Sequence, residues 1–267
     1  MLKQRIITGL ILLGLMLGML FYAPAGLWAA FAGAIALLVL WELGRLFRFS
    51  PQLMTGYLLA STALGLVLYF FASAVPVSLI QGLAWVVLLF WVLVVPLWLI
   101  NKWQLKNPWA AMLLGWLLTV PFWGALVLLH IHLSPLHLLC LMGLVWVADI
   151  GAYAFGKMFG RHKLAPAISP GKSWEGAVGG LLCVWLYVWI IIRLGWVSVD
   201  LSWWLLVAAA VLVAVSIIGD LFESWLKRCA GIKDSSNLLP GHGGVFDRAD
   251  SLIAVLSVSL ALTAVWS

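Results

Sequence analysis

The stretch from Ser216 to Asp250 reads S-I-I-G-D-L-F-E-S-W-L-K-R-C-A-G-I-K-D-S-S-N-L-L-P-G-H-G-G-V-F-D-R-A-D and holds five of the chain's nine Asp and Glu residues. They are Asp220, Glu223, Asp234, Asp247 and Asp250, and Lys227, Arg228, Lys233, His242 and Arg248 stand among them. Carboxylate oxygens at such density suit Mg2+, which takes one or two carboxylates together with substrate phosphates. The Lys and Arg side chains suit phosphate itself. The Gly-His-Gly-Gly run, with Gly243 and Gly244 at its end, permits a tight turn and close approach of backbone to a ligand. Backbone N–H groups at such a turn, beside a helix start, bind anions.

Ser216, Asp220, Glu223 and Lys227 recur at helical spacing and so share one stripe of a helix. Asp247 and Asp250 precede the last apolar run, where Asp also serves as a helix cap. Asp149, in V-W-V-A-D-I-G-A-Y-A-F-G, is a further carboxylate inside an apolar run, and such residues face a polar cavity or a buried partner. The segment I-S-P-G-K-S-W-E-G places Lys172 and Ser173 at a helix start. It is no P-loop, because Pro166 stands where that motif needs glycine. Lys172 is expected to reach a phosphate, and Ser173 or Ser169 to cap the helix. His130, His132 and His137 lack accompanying Cys or carboxylate and are poor zinc candidates. Glu42 reads as a helix-end pair with Arg45. Cys140, Cys183 and Cys229 read as buried small hydrophobes.

The elements that must hold these residues are set by composition. The 267 residues are 65% hydrophobic and 9% charged, with a mean hydropathy of +1.14, against about 25% charged residues in soluble domains. Apolar runs fall near 6–22, 27–43, 53–72, 77–100, 109–131, 136–156, 175–194, 203–221 and 251–266. They are continuous rather than alternating, which favours helices over a barrel. The expected fold is therefore an all-α polytopic membrane protein of about nine transmembrane helices. The eighteen Trp residues suit interface positions and packing between helices. The first run is read as a retained span rather than a signal peptide. Residues 1–135 read as a scaffold, and 136–267 as a catalytic region with loops 156–174 and 222–250.

Basic residues follow the second, fourth, sixth and eighth runs, which makes those connections cytoplasmic by the positive-inside rule. The N-terminus, with Lys3 and Arg5, is then expected on the opposite side as a local violation, in which either the loops outvote it or the first segment does not cross fully. The net charge of +6 is thus explained by orientation and anionic headgroups, with no role for nucleic acid. Carboxylates, basic groups and glycine turns at one membrane face fit transfer of a phosphoryl or nucleotidyl group onto a lipid headgroup. The competing readings are a kinase of a polyprenol-type lipid alcohol, CTP-dependent on the resemblance given next, and a cation or proton transporter using Asp149 and Asp220. Charge clustered at one face disfavours transport.

The run S-W-L-K-R-C-A-G-I-K-D-S-S-N-L-L-P-G-H-G-G-V-F-D-R-A-D-S closely resembles the signature of phosphatidate cytidylyltransferases, and D-I-G-A-Y-A-F-G-K-M-F-G-R-H-K-L and I-S-P-G-K-S-W-E-G-A-V-G-G are similar to that family. The resemblance is strong over 146–252 and diffuse before it. It implies a dimeric enzyme of the bacterial inner membrane that joins CTP and phosphatidic acid into CDP-diacylglycerol and pyrophosphate. It also implies Mg2+, with a monovalent cation such as K+ beside it. Asp220 and Asp247 are the implied metal ligands, and Lys227, Arg228, Lys233, His242 and Arg248 the phosphate-facing residues. Ser236 stands where the family pattern has glycine, and Ala249 where it has a larger apolar residue; both departures spare every charged position.

Overall fold

The computed structural model describes residues 2–71 and 74–266 and is built almost entirely of helices. These are α1 (Leu2–Tyr22), α2 (Ala25–Leu46), α3 (Pro51–Phe71), α4 (Val77–Asn101), α5 (Pro108–His132), α6 (Pro135–Phe159), α7 (Trp174–Arg193), α8 (Trp203–Ala230) and α9 (Phe246–Trp266). Helices α2 to α9 are each long and apolar enough to cross a membrane, and α1 carries an apolar run over Ile7–Tyr22. The expectation of an all-α polytopic membrane protein holds. One element was not foreseen. The polar segment before α7 is an antiparallel hairpin of β1 (Lys163–Ala165) and β2 (Ser169–Ser173), with Lys163 opposite Ser173.

Local chemistry starts the helices where they start. Asn107 accepts hydrogen bonds from the Trp109 and Ala110 amides ahead of Pro108, and Ser134, Ser173 and Ser202 accept from the third residue beyond each. Helix α8 ends on Gly231 at φ 76°, a left-handed stop that glycine adopts without strain.

Helix α9 is the central post. Ile253, Ala254, Val255 and Leu256 are consecutive and all buried, so no side of the helix meets lipid at that depth. Helix α3 is the opposite case: among its residues only Tyr57 is buried, and Leu59, Leu66 and Phe70 are exposed on an apolar surface. Such a surface is stable against acyl chains and not against water. Buried aromatics place their polar tips on backbone carbonyls, as Trp28 Nε1 does on Leu126 O at 2.8 Å and Tyr57 OH on Met112 O at 2.9 Å.

Helix α4 contains a π-helical turn at Phe90–Val94, just ahead of Pro96, whose ring cannot follow a regular α-helical turn. The widened turn sets the consecutive Phe90 and Trp91 rings both against Phe222 of α8, at centroid distances of 5.9 and 6.1 Å, and Trp98 closes the ring at 5.4 Å. Phe222 lies between Asp220 and Glu223, so this aromatic clamp fixes the helix end that carries the acidic stripe.

The connections after α2, α4, α6 and α8 share one face, here called the loop face. Trp225 Nε1 donates to Trp103 O at 2.7 Å, Arg228 Nε to Ile168 O at 3.4 Å, and Glu42 accepts from Ser235 Oγ at 2.9 Å. Helix α1 begins at the same face, because its Gly9 lies against the His242 ring. It ends at the far face, where Leu20 O sits 2.9 Å from His130 Nε2. The assignment of the N-terminus to the side opposite the loops is therefore corrected. Two crossings separate it from the α2–α3 connection, and two crossings return a chain to the side it left. The far-face histidines are structural: His130 also stacks on Trp28, and His137 Nδ1 lies 2.7 Å from Ser134 Oγ. A topology reporter fused ahead of Met1 is expected to give the same sidedness as one inserted at Asn107, and a C-terminal fusion the opposite one. Opposite signals from the first two would overturn this path for α1.

Candidate active site

The end of α8 presents Ser216, Asp220, Glu223 and Lys227 along one stripe. Gly219 lets α9 approach: a Cβ there would fall 2.8 Å from Ala254 Cβ and 2.9 Å from Asp250 O. That close crossing brings together Asp220, Glu223 and Asp250, whose carboxylate oxygens lie within 4.8 Å of one another. Asp220 Oδ2 is 2.7 Å from Lys172 Nζ, and its Oδ1 accepts from Ser224 Oγ at 3.3 Å. Asp250 Oδ1 accepts from the Ser251 amide at 2.7 Å. Glu223 Oε2 is 2.7 Å from Lys227 Nζ, while its Oε1 is buried without a hydrogen-bond partner among the described residues. Ser216 is fully buried beside Asp149, and its carbonyl accepts from Ser251 Oγ at 3.2 Å.

Lys227 is the bridge to the next element, with Nζ also 2.6 Å from Asp247 Oδ1. The other oxygen of Asp247 accepts from the Ser235 and Gly244 amides, at 2.9 and 2.7 Å, and lies 2.9 Å from Ser235 Oγ. One oxygen thus ties α9 to α8, and the other holds the 231–245 loop against α9. Gly243 has φ 82°, where side chains are strained. Gly244 is required for space: a Cβ would fall 2.0 Å from Ser235 Oγ and 2.4 Å from Glu42 Oε1.

These groups wall a cavity of about 680 Å³ at the loop face. Asp149, Lys172, Asp220, Asp247, Arg248 and Asp250 line its polar part, and Ala148, Ala177, Val213 and Ile217 continue it between α6, α7 and α8. Its size is that of a small-molecule site. The hairpin supplies Lys172, which also reaches Ile217 O at 3.4 Å. Ser173 borders the cavity but commits its hydroxyl to capping α7.

Several expected residues stand elsewhere. Arg228 ties the hairpin to the loop through Ile168 O and Ile232 O, both at 3.4 Å. Lys233 and Asp234 are exposed on the loop. His242 packs on Gly9 of α1, and its backbone carbonyl accepts from Arg248 Nε at 2.8 Å. Asp247 shares the Lys227 ammonium with Glu223 and lines the same cavity.

Sequence reasoning missed Glu42. It was read as a partner of Arg45, but the Arg45 guanidinium lies over the Trp41 ring instead. Glu42 is completely buried and turns toward the loop. It accepts from Ser236 Oγ at 2.5 Å, Ser235 Oγ at 2.9 Å, and the Val245 and Phe246 amides at 3.0 and 2.6 Å. The one available signal was a carboxylate near the end of an apolar run.

The sequence matches the cytidylyltransferase family over residues 3–266. This protein belongs to that family. It is 43% identical to the phosphatidate cytidylyltransferase of Pseudomonas aeruginosa over 269 residues, covering 98% of this chain and 97% of the relative. It is 35% identical to the phosphatidate cytidylyltransferase of Haemophilus influenzae over 281 residues, covering 96% of each. A protein of the same name from Staphylococcus haemolyticus is 47% identical over 113 residues, 42% of this chain and 43% of the relative. In this cytidylyltransferase, Gly244→Ala is expected to lower activity by about 100-fold through displacement of the loop. Gly56→Ala, where a Cβ meets nothing within 4 Å, is expected to stay near wild type. Equal activity of the two variants would refute the close packing at Gly244.

Proposed function

We propose that this cytidylyltransferase transfers CMP from CTP to phosphatidic acid, giving CDP-diacylglycerol and pyrophosphate. The observation that carries the reading is the cavity at the helix ends, polar at its loop-face part and apolar between α6, α7 and α8. A nucleotide triphosphate fits the first part and a lipid the second. The family membership and the names of its relatives support the same pair of substrates.

The residues fit Mg2+. Asp220, Glu223 and Asp250 converge, and the unpartnered buried oxygen of Glu223 points to a cation as its missing partner. When bound there, Mg2+ offsets charge on phosphate oxygens. The lipid phosphate is a monoester, already anionic at neutral pH. One of its oxygens forms the new bond to the α-phosphorus of CTP, and the bond from that phosphorus to the oxygen bridging to the β-phosphorus breaks. Pyrophosphate leaves with the electron pair, so no side chain has to remove a proton. Lys172 and Arg248 line the cavity and are placed to offset charge as it moves onto the leaving group, and Lys227 stands behind them, paired to Glu223 and Asp247. Lys172 and Lys227 are held by Asp220 and by Glu223 with Asp247, which orients them before substrate arrives.

On this reading the loop face is cytoplasmic, the side that supplies CTP. Arg45 and Arg48, Lys102 and Lys106, and Lys157, Arg161 and Lys163 all stand at its helix ends and connections, in keeping with the positive-inside rule.

The test uses purified protein in detergent with phosphatidate, Mg2+ and CTP labelled at the α-phosphate. Label is expected in the lipid fraction, matched by pyrophosphate. Asp220→Asn is expected to lower the rate by about 100-fold or more, since it removes a carboxylate from the cation-binding group and the partner of Lys172. Lipid labelled from the γ-phosphate alone would instead identify a lipid kinase. Absence of CTP consumption would sink the enzymatic reading.

A further inference from the structure

We propose that Glu42 of α2 is a positioning residue for the nucleotide half of the site, acting through the 231–245 loop without touching substrate. The inference rests on the reading of CTP as donor. Glu42 lies on the second helix, far in sequence from the cavity-lining residues, yet both its oxygens are spent on the loop and on the start of α9.

The geometry is that of a helix cap delivered from another helix. The amides of Val245 and Phe246 stand at the first turn of α9, where N–H groups have no partner within the helix. A carboxylate at this end is favoured both as acceptor and by the helix dipole. No Lys or Arg is recorded as an ion-pair partner of Glu42 among the described residues; hydroxyls and amides satisfy it. Its donors all belong to the segment that presents Asp247 and Arg248, so its bonds fix where those two side chains stand. Ser235 Oγ lies 2.9 Å from Glu42 and 2.9 Å from Asp247, a single hydroxyl between the two carboxylates. Asp247 in turn holds Lys227 at 2.6 Å. The chain of contacts therefore runs from α2 to Asp247 at the cavity wall and to the buried ammonium behind it. Ser236, the residue that departs from the family pattern, adds the shortest of these bonds.

A role confined to folding would lower the fraction of active protein, and with it kcat, but leave the KM of the folded fraction unchanged. A positioning role moves the affinity for nucleotide. In Glu42→Gln the side-chain amide turns an N–H toward donors already in place. The expected result is a KM for CTP raised about tenfold or more, the scale of a lost charge-assisted hydrogen bond. The KM for phosphatidate is expected within about twofold of wild type, as Glu42 does not border the apolar part of the cavity. Calorimetric titration of the same protein with CTP and Mg2+, without lipid, should show a matching rise in Kd. That measurement separates this inference from the reaction: wild type that binds CTP but makes no CDP-lipid refutes the acceptor, not the role of Glu42. Wild type that binds no CTP refutes both.

Ser236→Gly removes one donor to Glu42 and the acceptor of the Leu238 amide, and is expected to raise the CTP KM about threefold or more, since the bond to Glu42 is charge-assisted. If Glu42→Gln does not fold, this variant decides. An unchanged CTP KM in Ser236→Gly would then reduce Glu42 to a fold-stabilising residue. Wild-type CTP affinity in folded Glu42→Gln, or equal rises in both KM values, would overturn the proposal directly.

Discussion

The ammonium of Lys227, held between Glu223 and Asp247, is the contact on which the loop face depends. Its side chain is only 11% exposed, and those of its partners 2% and 5%. Burying such charges is costly, and it is tolerated only where they are paired and hydrogen-bonded, as the Ser235 and Gly244 donors to Asp247 add to the shared ammonium. Removing one member of a buried pair costs about 3–5 kcal/mol, because the other is left without compensation. The pair is therefore a constraint as much as a bond: α8 and α9 can cross in one register only, the one that brings Lys227 to Asp247. That register also brings Asp220 beside Asp250, and so creates the carboxylate group.

The rest of the bundle can be read as support for this crossing. Gly219 removes the side chain that would hold α8 and α9 apart. The aromatic ring of Phe90, Trp91 and Trp98 grips Phe222, the residue between the two acids of α8. The π turn ahead of Pro96 is what allows two neighbouring residues of α4 to face it together. On the opposite side, the hairpin brings Lys172 to Asp220 across the cavity. Apolar packing thus sets the depth of the helix ends, and ion pairs set which polar atoms remain for a ligand.

Hydropathy made the spans legible, because each helix had to satisfy its own backbone in lipid. The acidic stripe of α8 was legible for a related reason: in an apolar run, charges at helical spacing have one face to share. Other features depended on contacts that no local pattern encodes. Glu42 meets Ser235 and Phe246 across 193 and 204 positions, and near Arg45 it resembled an ordinary helix-end pair. The family resemblance makes His242 phosphate-facing, and no local pattern shows that Gly9 of α1 lies against its ring. Asp247 resembled Asp220 in type and setting, and only the loop amides distinguish them. The short hairpin had too few residues to show a strand pattern. With α1 running from the loop face to the far face, the basic residues of the N-terminus agree with those of the other connections.

Which carboxylate is available to a cation follows from counting hydrogen-bond donors, not from counting acids. Asp247 has an ammonium on one oxygen and two amides with a hydroxyl on the other. Glu42 has two hydroxyls and two amides. Donors already in place oppose a metal ion, which would have to displace them. Asp220, Glu223 and Asp250 share four among the three of them, from Lys172, Ser224, Lys227 and the Ser251 amide, and one oxygen of Glu223 receives none among the described residues. The saturated carboxylates are those that bind the loop, and the unsaturated ones face the cavity or lie just beneath it. Donors on Glu42 and Asp247 therefore go to fixing the loop, while the fewer donors on Asp220, Glu223 and Asp250 leave oxygen lone pairs that a ligand can meet.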